Sequence, residues 1–109
     1  MAQILGQAGR VESPQVNVVW SRRAIRNLIQ LREHIEKDSD RNAALVADRI
    51  LKTVALLQTH PEIGRPGRVI GTRELVIPDT PFVIPYRVRR GRLELIAVFH
   101  GRQKWPAKL

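Results

Sequence analysis

The chain contains no cysteine among its 109 residues. Disulfides and thiolate metal sites are therefore excluded, and a reducing cytoplasm is the compartment expected. It also lacks a long apolar run: none approaches the ~18 residues that a membrane span needs, so no membrane partner is expected. The opening MAQILGQAGR has no charged region followed by a long apolar core, and so does not read as a secretory signal. Internal repeats and low-complexity tracts are missing. Acidic residues are scarce, with 10 Asp and Glu against 19 Lys and Arg, a net charge of +9. The imbalance is greatest in the second half, where residues 60–109 carry 10 basic and 4 acidic side chains. Such a surface favours an acidic partner, either nucleic acid or an acidic protein segment.

A chain of this length suits one domain, and 43% hydrophobic residues are enough for a packed core. Residues 1–15 mix Gly, Gln and Ser without a period and read as a flexible extension. The domain proper is expected over 16–109, beginning with a β-branched strand, VNVVW, at Val16–Trp20. Ser21 is a natural helix N-cap. Ala24, Leu28, Leu31 and Ile35 follow at helical spacing, with Ile25 widening the stripe. KDSD breaks the pattern, and Ser39 or Asp40 can cap a second helix. Its apolar side runs through Ala43, Val46 or Ala47, Ile50, Val54 and Leu57, until Pro61 stops it. Two helices with one apolar face each form a hairpin that needs a sheet to cover.

The sheet is expected next. HPEIGRPGR reads as a loop, RELVI (73–77) as a strand, PDTP (78–81) as a turn, and FVIPYRVR (82–89) and RLELIAVFH (92–100) as strands around the Arg90-Gly91 turn. The architecture is α+β, in the order β-α-α-β-β-β, with the helical hairpin on one face of a mainly antiparallel sheet. A two-residue turn pairs Arg89 with Arg92. Continued without interruption, this register puts Phe82, Ile84, Tyr86, Val88, Leu93, Leu95, Ala97 and Phe99 on the helix-covered face. The other face then carries Val83, Arg87, Glu94, Ile96, Val98 and His100, a half-apolar surface that monomers seldom leave bare. Pro85 inside a strand predicts a bulge, or a ladder position where its missing N–H is harmless.

VVWSRRAIRNLIQL, LLQTHPEIGRP, RELVI, FVIPYRV and LIAVFHGRQKWP occur in this order over residues 16 to 106. In these pieces and their spacing the chain resembles the RelE/ParE superfamily of type II toxin–antitoxin toxins. The HPEIGRP loop and the HGRQKWP ending lean to the ParE-like branch. The resemblance implies a toxin of a plasmid-stabilisation module that inhibits DNA gyrase by protein contact. It further implies neutralisation by a cognate antitoxin with an acidic, amphipathic C-terminal segment, expected on the open sheet face or in the groove beside the helices. The alternative it carries is a RelE-like, metal-independent ribosome-dependent mRNA endonuclease; a third is a non-toxic member that binds only antitoxin or nucleic acid.

Cleavage through the RNA 2′-hydroxyl needs a base, an acid and cations at one phosphate. The candidates are Arg73, Arg87, Glu94, His100, Arg102 and Lys104. Glu94 and His100 lie six strand residues apart, roughly 20 Å at ~3.4 Å per residue, so they form no acid–base pair. His100, Arg102 and Lys104 cluster without a second proton carrier. His34 and His60 have no metal-ligand spacing with another residue, and neither metal nor cofactor is expected. The surface expected to meet partners comprises Val83, Arg87, Ile96, Val98, His100, Arg102, Lys104 and Trp105, with tryptophan and arginine as anchors.

Overall fold

A computed structural model describes residues 15–106, 108 and 109. The expected extension, apart from residue 15, lies outside the described residues. The strands are β1 (Asn17–Trp20), β2 (Arg65–Pro66), β3 (Arg73–Val76), β4 (Phe82–Arg89), β5 (Arg92–Leu95) and β6 (Phe99–His100). The helices are α1 (Arg22–Glu36) and α2 (Asp40–Ala55), the latter running into a 3₁₀ turn at Leu56–Gln58. The sheet order is β1-β5-β4-β3-β2, with β6 also on β4. β1 lies parallel to β5, and the other pairs are antiparallel. The expected α+β order is present, with one addition: the HPEIGRPGR loop contains β2, in which Arg65 pairs opposite Glu74.

Both helix starts follow from a serine. The Ser21 hydroxyl accepts the Ala24 N–H at 3.0 Å and the Ser39 hydroxyl accepts the Asn42 N–H at 3.1 Å, satisfying donors that the first turn leaves unpaired. Ala24 from α1, Ile50 and Val54 from α2, and Leu57 from the 3₁₀ turn enter the main core, with Leu28, Leu31 and Val46 packed against it. Ile25 is 46% exposed and so lies outside the buried stripe. The sheet supplies Leu75, Ile77, Ile84, Tyr86, Leu93, Leu95 and Val98 to the same core. Each fully buried Leu or Ile contributes about 1.5–3 kcal/mol.

The β4–β5 hairpin has the expected register: Arg89 opposite Arg92, Val88 opposite Leu93 and Tyr86 opposite Leu95. Arg90 and Gly91 both have positive φ, 52° and 76°, as a type I′ turn requires. Beyond Leu95 the register shifts by one. Phe82 is opposite His100 and Val83 opposite Phe99, so the expected continuous strand 92–100 is broken by a bulge over residues 96–98. Its origin is Pro85. The Ile96 N–H donates to the Pro85 carbonyl at 2.9 Å, but Pro85 has no N–H to return. The Ile96 carbonyl instead accepts the Ser21 hydroxyl at 2.8 Å, and the Val98 N–H donates to Asn27 Oδ1 at 3.0 Å. The start of α1 thus closes the gap in the ladder.

The shift reverses the sides of the residues beyond it. Val98, expected on the open face, is in the helix-side core. Phe99 and Ala97, expected to face the helices, pack with Ile96 in a second cluster, against which Trp105 and Leu109 fold. Phe82, Ile84 and Tyr86 do face the helices, as their membership of the main core shows.

Candidate functional site

The C-terminal HGRQKWP segment forms a hydrogen-bonded knuckle. The His100 N–H donates to Gln103 Oε1 at 2.7 Å, and the Gln103 N–H returns to the His100 carbonyl at 3.1 Å. The Arg102 N–H donates to His100 Nδ1 at 3.1 Å, which places the proton of the neutral ring on Nε2. The Gly101 N–H donates to the Pro81 carbonyl at 2.6 Å, fastening the knuckle to the start of β4. The imidazole meets Phe82 edge-on, with ring centroids 5.9 Å apart. At the apex, Arg102, Gln103 and Lys104 are exposed.

Trp105 is held from two sides. Its ring lies 4.8 Å from that of Phe99, and the Arg68 guanidinium sits 3.5 Å above its centroid. Arg68 is itself anchored: its backbone N–H and Nε both donate to Glu74 Oε2, at 2.8 and 3.1 Å, while Arg65 Nε donates to Oε1 at 3.1 Å. Glu74 is 3% exposed. Burial opposes its ionisation, but the Arg68 N–H and the two guanidinium groups outweigh it and hold the carboxyl below its usual range. Trp105, expected as a partner anchor, is half-buried and is one link of a chain running Glu74–Arg68–Trp105–Phe99.

The other expected residues divide by position. Arg73 Nη1 donates to the Glu62 and Gly64 carbonyls at 3.1 and 2.8 Å. It secures the loop before β2, together with the Tyr86 hydroxyl, which donates to the Pro61 carbonyl and accepts the Gly64 N–H. Burial pushes the Tyr86 phenol upward in pKa. Arg87 Nε pairs with Glu94 Oε1 at 3.3 Å, as the cross-strand register predicts. These two lie on the open face, whereas His100, now opposite Phe82, lies toward the helices. The register shift thus separates His100 from Arg87 and Glu94 by the thickness of the sheet as well as by length. Val83, Ile96 and Val98 are each 5% exposed and form no open contact surface; the bulge turns Val98 inward, and the C-terminal segment folds over Ile96.

Two features were missed by sequence reasoning. Glu74 alternates with Leu75 and so could be placed on the open face, but nothing in the sequence gives the loop path that brings Arg68 to it. The second is a groove between α1 and the knuckle, lined by Asn27, Leu31, Ile35, Phe82, His100 and Gln103 among others. Among the described residues no three His, Cys, Asp or Glu side chains converge as a metal site, and no helix is long and apolar enough to cross a membrane.

The model of a protein family described as the ParE toxin of the type II toxin–antitoxin system parDE matches residues 18–105. A Sinorhizobium fredii protein named "Putative toxin Y4kP" is 46% identical over 90 residues, 83% of this chain and 93% of its own. Toxin RelE2 of Caulobacter vibrioides is 33% identical over 84 residues, 77% of this chain and 93% of its own. A chain from the solved chromosomal ParDE TA system from P. aeruginosa superposes with a TM-score of 0.73 at 25% identity, over 81% of this chain and 98% of that one.

Proposed function

Because the chain belongs to the ParE family of type II toxin–antitoxin toxins, we propose that it inhibits DNA gyrase by protein contact and is neutralised by a cognate antitoxin. The observation that carries this reading is the internal use of four of the six expected catalytic groups: His100, Arg73, Arg87 and Glu94. His100 Nδ1 accepts from the knuckle backbone, Arg73 holds loop carbonyls, and Arg87 is paired with Glu94. What remains outward is a pre-formed cationic apex, Arg102 and Lys104, on a turn whose backbone is already fixed. Preorganisation of this kind lowers the ordering cost of association, and it serves recognition without a proton-transfer pair.

The antitoxin's place in this reading is the groove between α1 and the knuckle. Leu31, Ile35 and Phe82 give it an apolar floor, with Asn27 and Gln103 at its margins. An amphipathic segment fits such a groove by its apolar side. The solved ParDE relative supports a toxin–antitoxin pairing, and the net charge of +9 favours an acidic segment.

The test is expression in bacteria without antitoxin, read by DNA-damage response and by mRNA cleavage on translating ribosomes. Wild type is expected to induce the damage response, and His100→Gln to remain toxic. Arg102→Ala with Lys104→Ala is expected to lower toxicity at least about tenfold while the purified domain stays folded, the loss of hot-spot cations. Trp105 is left in place because it is part of the packing. Ribosome-dependent mRNA cleavage by wild type, abolished in His100→Gln, would replace this reading with the endonuclease one, since loss of a general acid or base costs about 100-fold or more.

A further inference from the structure

The tip of the β4–β5 hairpin is costly in two ways, each involving arginine. Arg89 and Arg92 stand directly opposite each other across the ladder, and like charges so placed are destabilising. Arg90 occupies a left-handed position at φ 52°, where a type I′ turn prefers Asn, Asp or Gly. Among the described residues, Arg87 has Glu94 as its ion-pair partner, but Arg89, Arg90 and Arg92 have none. All three are exposed. Arg87, Arg89 and Arg92 surround a shallow recess with Glu94 as its one acid, and a second recess beside it adds Arg23. The apex is also fixed in place, since the Gly91 carbonyl accepts the Asn17 N–H from β1 at 3.0 Å. Solubility alone asks only for dispersed charge; it does not account for like charges placed opposite one another on a hydrogen-bonded tip.

We propose that this hairpin tip, Arg89, Arg90 and Arg92 with Arg23 alongside, is a binding site for the phosphodiester backbone of duplex DNA, independent of sequence. Guanidinium groups match phosphate geometry bidentately, and closely spaced phosphates relieve the repulsion that the tip otherwise carries. Neither recess is lined by an aromatic ring. Single-stranded nucleic acid is usually held by stacking its bases on such rings, so a site of charge without stacking favours the duplex. The inference goes beyond gyrase inhibition and does not depend on it.

The experiment is fluorescence anisotropy of the purified full chain with a 30-bp duplex of random sequence, at KCl from ~50 to ~200 mM. One phosphate contact for each of the four arginines gives a log–log salt slope of about −3.6. Arg89→Gln with Arg92→Gln should halve that slope, to about −1.8, and weaken binding at least about tenfold at the lowest salt. The same variant removes the like-charge pair, so it should melt no lower than wild type, which shows that it is folded. An unchanged slope in the variant overturns the proposal. Tighter binding of a single-stranded RNA of equal length also overturns it. So does tighter binding of a polyglutamate peptide, which would assign the tip to an acidic protein.

Discussion

Glu74 shows how one residue organises a surface far from its own strand. It is 3% exposed, yet it carries a charge because three donors from Arg65 and Arg68 meet it. Replacing it with Gln leaves one acceptor oxygen and two guanidinium groups without their counter-charge. A loss of about 2 kcal/mol at neutral pH is expected, in the range for hydrogen bonds to charged groups. The pH dependence has a defined sign. The native carboxyl is held below its usual range, so the unfolded chain takes up the proton first, near pH ~4.3. Stability contributed by Glu74 is then complete above that pH and is lost as pH falls through the native value. Urea unfolding of wild type and Glu74→Gln at neutral and acid pH checks this: the gap between them should narrow on acidification. A gap independent of pH would show that the carboxylate charge is not what matters. None of this was legible in the sequence, because the Arg68 contact depends on the path of the loop before β3. The Arg87–Glu94 pair was legible, since a short hairpin turn fixes its register directly.

At the scale of elements, the bulge after β5 decides which residues face which way. Pro85 was recognisable as a disturbance of the ladder, but the sequence does not say on which side the extra residue falls. Hydropathy could not settle it either: Ile96, Ala97, Val98 and Phe99 are all apolar, so either register buries apolar side chains. The helices were legible because Ser21, Ser39 and the apolar spacing agree with one another. The link between Ser21 and the bulge was hidden, because it joins residues 75 apart in sequence. That link is testable as a cycle. Ser21→Ala removes both the cap on Ala24 N–H and the donor to the Ile96 carbonyl, and should cost about 2–3 kcal/mol. Pro85→Val restores a backbone N–H directed at that carbonyl. In the Pro85→Val background, Ser21→Ala should therefore cost about 1 kcal/mol less. Independent sites add within ~0.3–0.5 kcal/mol, so additivity within that limit by urea unfolding would refute the shared carbonyl.

For the whole molecule, the sheet has two differently covered faces. The helical hairpin covers one. On the other, the C-terminal segment covers the apolar end around Ile96, Ala97 and Phe99, while the arginine-rich hairpin tip is left to solvent. The apolar end is held by Trp105, pressed on Phe99 beneath and capped by Arg68 above. A chain of contacts from Glu74 to Phe99 thus keeps the knuckle that bears Arg102 and Lys104 in a fixed position relative to the sheet. Trp105→Ala breaks this chain between Arg68 and Phe99. Full Trp-to-Ala truncation in a core costs about 3–5 kcal/mol, and a half-buried ring should cost roughly 2–3, including ~0.5–1 for the cation–π contact. Trp105→Phe keeps an aromatic face for Arg68 and should recover more than half of that loss. Because the helix-side core is untouched, far-UV circular dichroism should be retained in Trp105→Ala, while binding of an apolar dye should rise as Ile96 and Phe99 become accessible. A stability change below ~0.5 kcal/mol, with no gain in dye binding, would mean that the C-terminal segment rests on the sheet without holding it. The knuckle would then owe its position to the β4–β6 pairing, the Gly101–Pro81 hydrogen bond and the Phe82 contact.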